Sequence, residues 1–229
     1  MKVVFATPTY TQPHPAYLQA LENCVPLLDA SGIEHQTVFE VGSPYISAAR
    51  ATLTRKVLDT DAEVIVYIDH DVSWRPEDML KLITTEDDVV AGTYRFKKDE
   101  EEYMGSVFSN AQGTPSVRAK DGALYANAVP AGFLKITRNG IRRFMKAYPQ
   151  LLYGHPERYT VDLFNHGAHN GVWYGEDYAF SRNWRDIGGE IILLPDLDLD
   201  HHSATQCYPG NFHMFLRRQP GGDLCPSST

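Results

Sequence analysis

Residues 63–68, Glu-Val-Ile-Val-Tyr-Ile, form a nearly continuous apolar run that passes directly into Asp69-His70-Asp71. Side chains of a strand alternate between its two faces, so a run apolar throughout must be covered on both. That requirement suits the centre of a parallel sheet with helices on each side. The flanking sequence supplies the helices. A β-rich run at 3–7 is ended by Pro8-Thr9-Tyr10, and helical spacing follows over 15–31 with Gly32 as its stop. A strand at 33–41 closes at Gly42-Ser43-Pro44, and a helix spans 46–58. Beyond the apolar run, Pro76 suits a first helical position with Glu77 and Asp78 in the first turn, and 88–91 reads as a further strand. Such alternation predicts an α/β fold: a Rossmann-like, mainly parallel central sheet flanked by helices.

The pattern weakens after Tyr94. Residues 97–102 are a charged loop, 106–125 read as hairpins turning at Gly113 and Asp121-Gly122, and helices are predicted at 139–147 and 176–188. A last strand falls at 191–194, and the sequence from Pro220 is rich in Pro, Gly and Ser. One domain over 1–229 is expected: a nucleotide-binding half to about residue 95, a smaller irregular acceptor-side half over about 96–215, and a mobile tail over 216–229. At 229 residues, 43% hydrophobic and 22% charged, the composition is that of a globular protein. No apolar run approaches the roughly 18–20 residues of a membrane span. Residues 1–6 are too short a stretch before Pro8 for a signal peptide, and the three cysteines show no paired spacing. A cytoplasmic location is therefore expected. The net charge of −8 disfavours broad adhesion to phosphate backbones or anionic membranes. Arg138, Arg142, Arg143 and Lys146 read as a solvated helical face.

Residues two apart in extended chain share a side, so Asp69 and Asp71 can aim at one point with His70 turned away. Two carboxylates placed together repel unless a cation lies between them, and hard oxygen ligands suit Mg²⁺ or Mn²⁺. The carboxyl end of a parallel strand is also where ligands gather in such sheets. Gly175-Glu176-Asp177 opens a helix, where free backbone N–H groups favour carboxylates; simple capping and a chemical role are both open. Alternation along residues 196–200 puts Asp196, Asp198 and Asp200 on one side and the leucines on the other. The stretch from His155 to Trp173 holds His166, His169 and Tyr159, and reads either as an acceptor-binding loop or as an ordinary surface loop. Trp74 is expected in the core. Arg95 and Lys97 read either as part of a solvated loop or as the source of one phosphate contact. Neither the dinucleotide glycine fingerprint nor the P-loop is present.

Several segments, in order, resemble glycosyltransferases of the GT-A fold, which use nucleotide sugars and hold a metal with an Asp-X-Asp motif. They are Ala6-Thr7-Pro8-Thr9-Tyr10, Ser47-Ala48-Ala49-Arg50, Asp69-His70-Asp71, residues 89–97, Val129-Pro130-Ala131-Gly132-Phe133, Gly175-Glu176-Asp177 and Leu199-Asp200-His201. The resemblance covers roughly residues 3–215. It implies that Thr7, Pro8, Tyr10, Arg50, Asp69, Arg95, Lys97 and Gly132 face the donor. It implies Asp69, Asp71 and His201 as ligands of Mn²⁺ (or Mg²⁺), and Asp177 as general base with Glu176 in support. Residues 129–133 correspond to a strand beside the sugar pocket. The family's late motif reads His, any residue, Gly. Here Ser203 stands in the Gly position and His202 follows His201, so which imidazole meets the metal is open. The donor implied is a UDP-sugar; the acceptor (glycan, lipid-linked sugar, protein or modified nucleobase) is open. A nucleotidyltransferase shares the sheet and the two-carboxylate site but needs a Gly-rich basic loop after the first strand, which Thr7-Pro8-Thr9-Tyr10 does not resemble. A noncatalytic nucleotide-sugar-binding module is the remaining alternative.

Overall fold

The computed structural model describes residues 1–111 and 113–219. In chain order the first elements are β1 (Lys2–Thr9), α1 (Pro15–Ala30), β2 (Glu34–Val41), α2 (Ile46–Leu58) and β3 (Val64–Ile68). Next come β4 (Val72–Trp74), α3 (Pro76–Thr84), β5 (Val89–Ala91), β6 (Ser106–Val107), β7 (Leu124–Ala128), β8 (Phe133–Thr137) and α4 (Arg138–Ala147). Two hairpins follow, β9 (Leu152–His155) with β10 (Arg158–Val161), and β11 (Gly167–His169) with β12 (Val172–Tyr174). The chain then runs through α5 (Glu176–Asp186), β13 (Ile192–Leu193), β14 (Leu199–His202), β15 (Cys207–Tyr208) and α6 (Phe212–Arg218).

The central sheet has eight strands in the order β2-β1-β3-β8-β5-β13-β7-β6. β2, β1, β3, β5, β13 and β6 run one way, and β8 and β7 the other. The expected α/β class, a mainly parallel sheet flanked by helices, is the one found. Sequence alternation decides which helix covers which face. Val4, Ala6, Ile65 and Tyr67 pack under α2, α4 and α5, through Leu53, Phe144, Phe180 and Trp184. Val3, Phe5, Val66 and Ile68 pack under α1 and α3, through Tyr17, Leu28, Met79 and Leu82. Trp74 joins this second core, as expected, with its indole N–H donating to Cys24 Sγ at 3.0 Å.

Several readings are corrected. β8 is an antiparallel strand inserted between β3 and β5, and residues 129–132 are the turn leading into it rather than a strand. Arg138 is not part of a solvated face: its guanidinium donates to the carbonyls of Ala62, Val57 and Thr60 at 2.5–3.0 Å, pinning α4 to the end of α2. Residues 216–218, assigned above to the tail, belong to α6; the tail from residue 220 lies outside the described residues. Among the described residues no helix is long and apolar enough to cross a membrane.

β1 pairs with β3 only over Val3–Ala6, while its pairing with β2 continues to Thr9. The chain leaves β1 toward β2 on one side, and β3 lies on the other. A crevice therefore opens between the carboxyl ends of β1 and β3, the switch point where open α/β sheets take their ligands.

Candidate active site

Asp69 and Asp71 follow β3 at this crevice, but their side chains have different partners. Asp69 Oδ1 accepts from Arg50 Nη2 at 2.8 Å, and its Oδ2 accepts from the Tyr94 hydroxyl at 3.0 Å. Asp71 pairs with Lys97 Nζ, and its Oδ1 lies 3.6 Å from His201 Nε2. Burial works to raise the Asp71 pKa, but hydrogen bonds from His201 and Lys97 and the lysine charge outweigh it and hold the carboxyl below its usual range.

His201 sits here because β14 pairs antiparallel with β4, which places His201 opposite Val72, the residue after Asp71. Its Nδ1 lies 2.7 Å from the Arg95 carbonyl, which has no proton to give, so Nδ1 is the donor there and Nε2 is the nitrogen that faces Asp71. A backbone carbonyl that orients the ring in this way is the usual support of a metal-binding imidazole. His202 points elsewhere, with its Nε2 2.8 Å from Ser73 Oγ. The residues therefore fit a divalent cation at Asp71 Oδ1 and His201 Nε2, a carboxylate oxygen and an imidazole nitrogen of the kinds Mn²⁺ and Mg²⁺ sites employ. The ligand atoms of Asp69, Asp71 and His201 do not all come within 4.8 Å of one another; among the described residues only Asp200, His202 and Cys207 do so. Of the three metal ligands the resemblance implied, Asp71 and His201 are brought together, and Asp69 is engaged with Arg50 and Tyr94.

Arg50 is 2% exposed and bridges two carboxylates, donating to Asp69 and, at 2.5 Å, to Glu176 Oε1, while its guanidinium lies over the Phe164 ring. Burial opposes its charge, but Asp69 and Glu176 more than offset that and hold the guanidinium protonated. Its place is thus a strut between the Asp69 turn and the start of α5. Asp177, next to Glu176, turns its Oδ1 to its own helix, accepting from the Tyr178 N–H at 2.8 Å. Burial first, then repulsion from Glu176, pushes its pKa up to about 6, against the opposing pull of the Tyr178 N–H and Arg50. A carboxyl so poised takes up and releases protons near neutrality, as a general base must.

Gly132 lies against this network for a steric reason. A Cβ there would stand 2.0 Å from the Tyr94 hydroxyl and 2.3 Å from Asp69 Oδ2. Its carbonyl accepts from the Asp69 N–H at 3.0 Å, which ties the turn before β8 to the end of β3.

The remaining residues singled out in the sequence are dispersed. Thr7 is fully buried with its hydroxyl 2.6 Å from that of Tyr17, and Pro8 is buried. Tyr10 is 68% exposed, as is Tyr45 at the N-cap of α2; both emerge at the carboxyl ends of β1 and β2. Arg95 donates to the carbonyls of Lys98 and Asp99 and so braces its own loop, while Lys97 alone of that pair reaches the carboxylates.

No family model matches the chain, and no curated protein does. Similar solved structures include a Drosophila β-1,4-galactosyltransferase 7 variant in complex with manganese, UDP-Gal and xylobiose, at 12% identity over 95% of this chain and 74% of that one, with a TM-score of 0.49. Another is TarS of S. aureus, at 12% identity over 95% and 64%, with a TM-score of 0.45. A nucleoside-diphosphate-sugar pyrophosphorylase from Vibrio cholerae is similar at 7% identity over 83% and 90%, with a TM-score of 0.39. The chain spans less than two thirds of TarS. At such identities and TM-scores the chemistry rests on this chain's own residues.

Tyr94 is the site residue that sequence reading did not single out. It is 1% exposed, donates to Asp69, and its ring meets that of His201 edge-on at 4.9 Å. The signal was its place: it follows the buried strand β5 by three residues, in a segment otherwise turning to charge.

Proposed function

We propose that this protein transfers a sugar from a nucleotide-sugar donor to an acceptor hydroxyl. The observation that carries the reading is the convergence on one sheet edge of two different carboxylate settings. Asp71, with Lys97 and His201, forms a charged seat for a diphosphate and its cation. Asp177, with its pKa raised to about 6, stands across the Arg50 strut as a base. The nucleoside half is assigned to residues up to about 95, with the exposed rings of Tyr10 and Tyr45 flanking the base. The resemblance makes UDP-sugars the first donors to try. A divalent cation held by Asp71 and His201 would neutralise negative charge on the departing diphosphate.

The chain's own residues supply the rest. Lys97 places a point charge beside the diphosphate, and Asp69, fixed by Arg50 and Tyr94, presents an ordered carboxylate edge to the donor. Asp177 accepts the proton of the acceptor hydroxyl. That oxygen forms the new bond to the anomeric carbon while the bond to the phosphate oxygen breaks and its electron pair leaves with the diphosphate. On the acceptor side, Trp173 is 70% exposed on β12, directly before Gly175-Glu176-Asp177, and offers a flat ring to a sugar face.

The test is to incubate the protein with Mn²⁺ and a panel of nucleotide sugars and identify the products by mass. Release of nucleoside diphosphate supports the reading. Pyrophosphate formed from a sugar phosphate and a nucleoside triphosphate would mark a nucleotidyltransferase instead, and intact binding with no turnover of any donor or acceptor would mark a binding module.

A further inference from the structure

The strand that carries His201 presents a second set of ligand-type side chains. Asp200 and His202 stand two apart on β14, and so on the opposite side of the strand from His201. Cys207 on β15 is the cross-strand partner of His202. A carboxylate oxygen, a ring nitrogen and the sulfur of these three residues all lie within 4.8 Å of one another. Ordinary pairing does not account for the cluster: among the described residues, neither the Asp200 carboxylate nor the Cys207 thiol has a hydrogen-bond or ion-pair partner. His202 is held from behind. Its Nε2 lies 2.8 Å from Ser73 Oγ on β4, which leaves Nδ1 as the uncommitted nitrogen. The His14 ring stacks on it at 4.6 Å and 17°, fixing its plane. Ser73 and Asp200 also line a cavity of about 430 Å³, so solvent and solutes reach this side of the strand.

We propose that Asp200, His202 and Cys207 bind a divalent transition-metal ion of the zinc class. Thiolate and imidazole ligands select Zn²⁺ or Co²⁺ over the hard Mg²⁺ and Mn²⁺ that suit Asp71 and His201. On binding, the Cys207 thiol gives its proton to solvent and the thiolate sulfur becomes the ligand. Three protein ligands would leave a coordination position for water or a small solute. The ion ties β15 to β14 and, through Ser73, to β4. Those are the strands that seat His201 beside Asp71, so a structural ion on one side of β14 steadies a donor-site residue on the other. Binding here does not depend on the glycosyl-transfer reading.

The test uses the full chain, reduced, stripped with EDTA and desalted, then titrated with Co²⁺ and afterwards with Zn²⁺. The expected result is a thiolate-to-cobalt charge-transfer band that saturates at one equivalent and is abolished by Zn²⁺. The band should persist in Asp71→Asn and vanish in Cys207→Ser, whose metal-free melting temperature matches wild type because the thiol is exposed. Ser73→Ala should weaken Zn²⁺ binding by about 10- to 100-fold, as loss of a supporting hydrogen bond does. Absence of the band in the wild-type chain, or its survival in Cys207→Ser, overturns the proposal.

Discussion

Asp177 should make the fold less stable for the same reason that suits it to the proposed role of base. Its pKa is pushed from an ordinary 3.8 to about 6, first by burial and then by Glu176. A carboxyl whose folded pKa lies above its unfolded value binds its proton more tightly in the folded state, so stability falls as pH rises from about 4 to about 6. Each pKa unit is worth about 1.4 kcal/mol, so the charged form costs at most about 3 kcal/mol, and partial solvent access brings that to about 1–3. Asp177→Asn keeps an oxygen to accept from the Tyr178 N–H and removes the charge. Thermal melts of the variant at pH 7.5 should therefore exceed wild type by roughly 2–12 °C, at 2–4 °C per kcal/mol for a chain of this size. At pH 4 the two proteins should melt together. Turnover should fall by about 10²- to 10⁴-fold, the usual worth of a general base, with donor affinity kept. A variant less stable than wild type at pH 7.5, or stabilised equally at both pH values, would refute the reasoning.

Other expectations follow from the same network. Wild-type turnover should rise as pH increases through about 6, as Asp177 loses its proton, and this limb of the pH–rate profile should be absent from the residual activity of Asp177→Asn. Gly132→Ala forces a Cβ onto Tyr94 and Asp69 and should cost about 1–3 kcal/mol in urea unfolding; Tyr94→Phe, which removes the nearest atom, should recover part of that loss in the double variant. Arg50→Met leaves Asp69 and Glu176 without their shared cation. A buried pair broken on one side costs about 3–5 kcal/mol, and because both carboxylates are partly exposed the lower end is expected, read from the same unfolding curves. Lys97→Met should weaken nucleoside diphosphate binding while tightening Mn²⁺ binding in the absence of nucleotide, since the ammonium then no longer competes for Asp71; calorimetry with each ligand alone separates the two.

The legible parts of the fold were those that local chemistry determines. The run at 64–68 had to be a covered strand, and Pro76, Gly32 and the Gly175-Glu176-Asp177 start marked helix ends by their backbone preferences. β8 was not legible. Lys135 interrupts its apolar pattern, and only the structure shows the ammonium buried against the Thr85 carbonyl. Its insertion between β3 and β5 is a long-range pairing that no local period encodes. Arg50 was picked out as a site residue, but its partners lie 19 and 126 residues away, so its role as a strut could not be read. The question between His201 and His202 turned on alternation along β14, which needed the register with β4 to say which face meets Asp71. α6 hid in plain sight. Its N-cap Asn211, accepting from the Met214 N–H, is an ordinary start signal, but a seven-residue helix is too short to show a period.

The central claim is that Asp71 and His201 form the seat for a cation and a nucleoside diphosphate. Calorimetric titration of UDP into the protein with Mn²⁺ and with EDTA, repeated for Asp71→Asn, tests it most directly. The account predicts binding that requires Mn²⁺ in the wild-type chain and is lost in the variant, with thermal melts showing that the variant is folded. Binding of equal strength in EDTA, or Mn²⁺-dependent binding retained by Asp71→Asn, would contradict it.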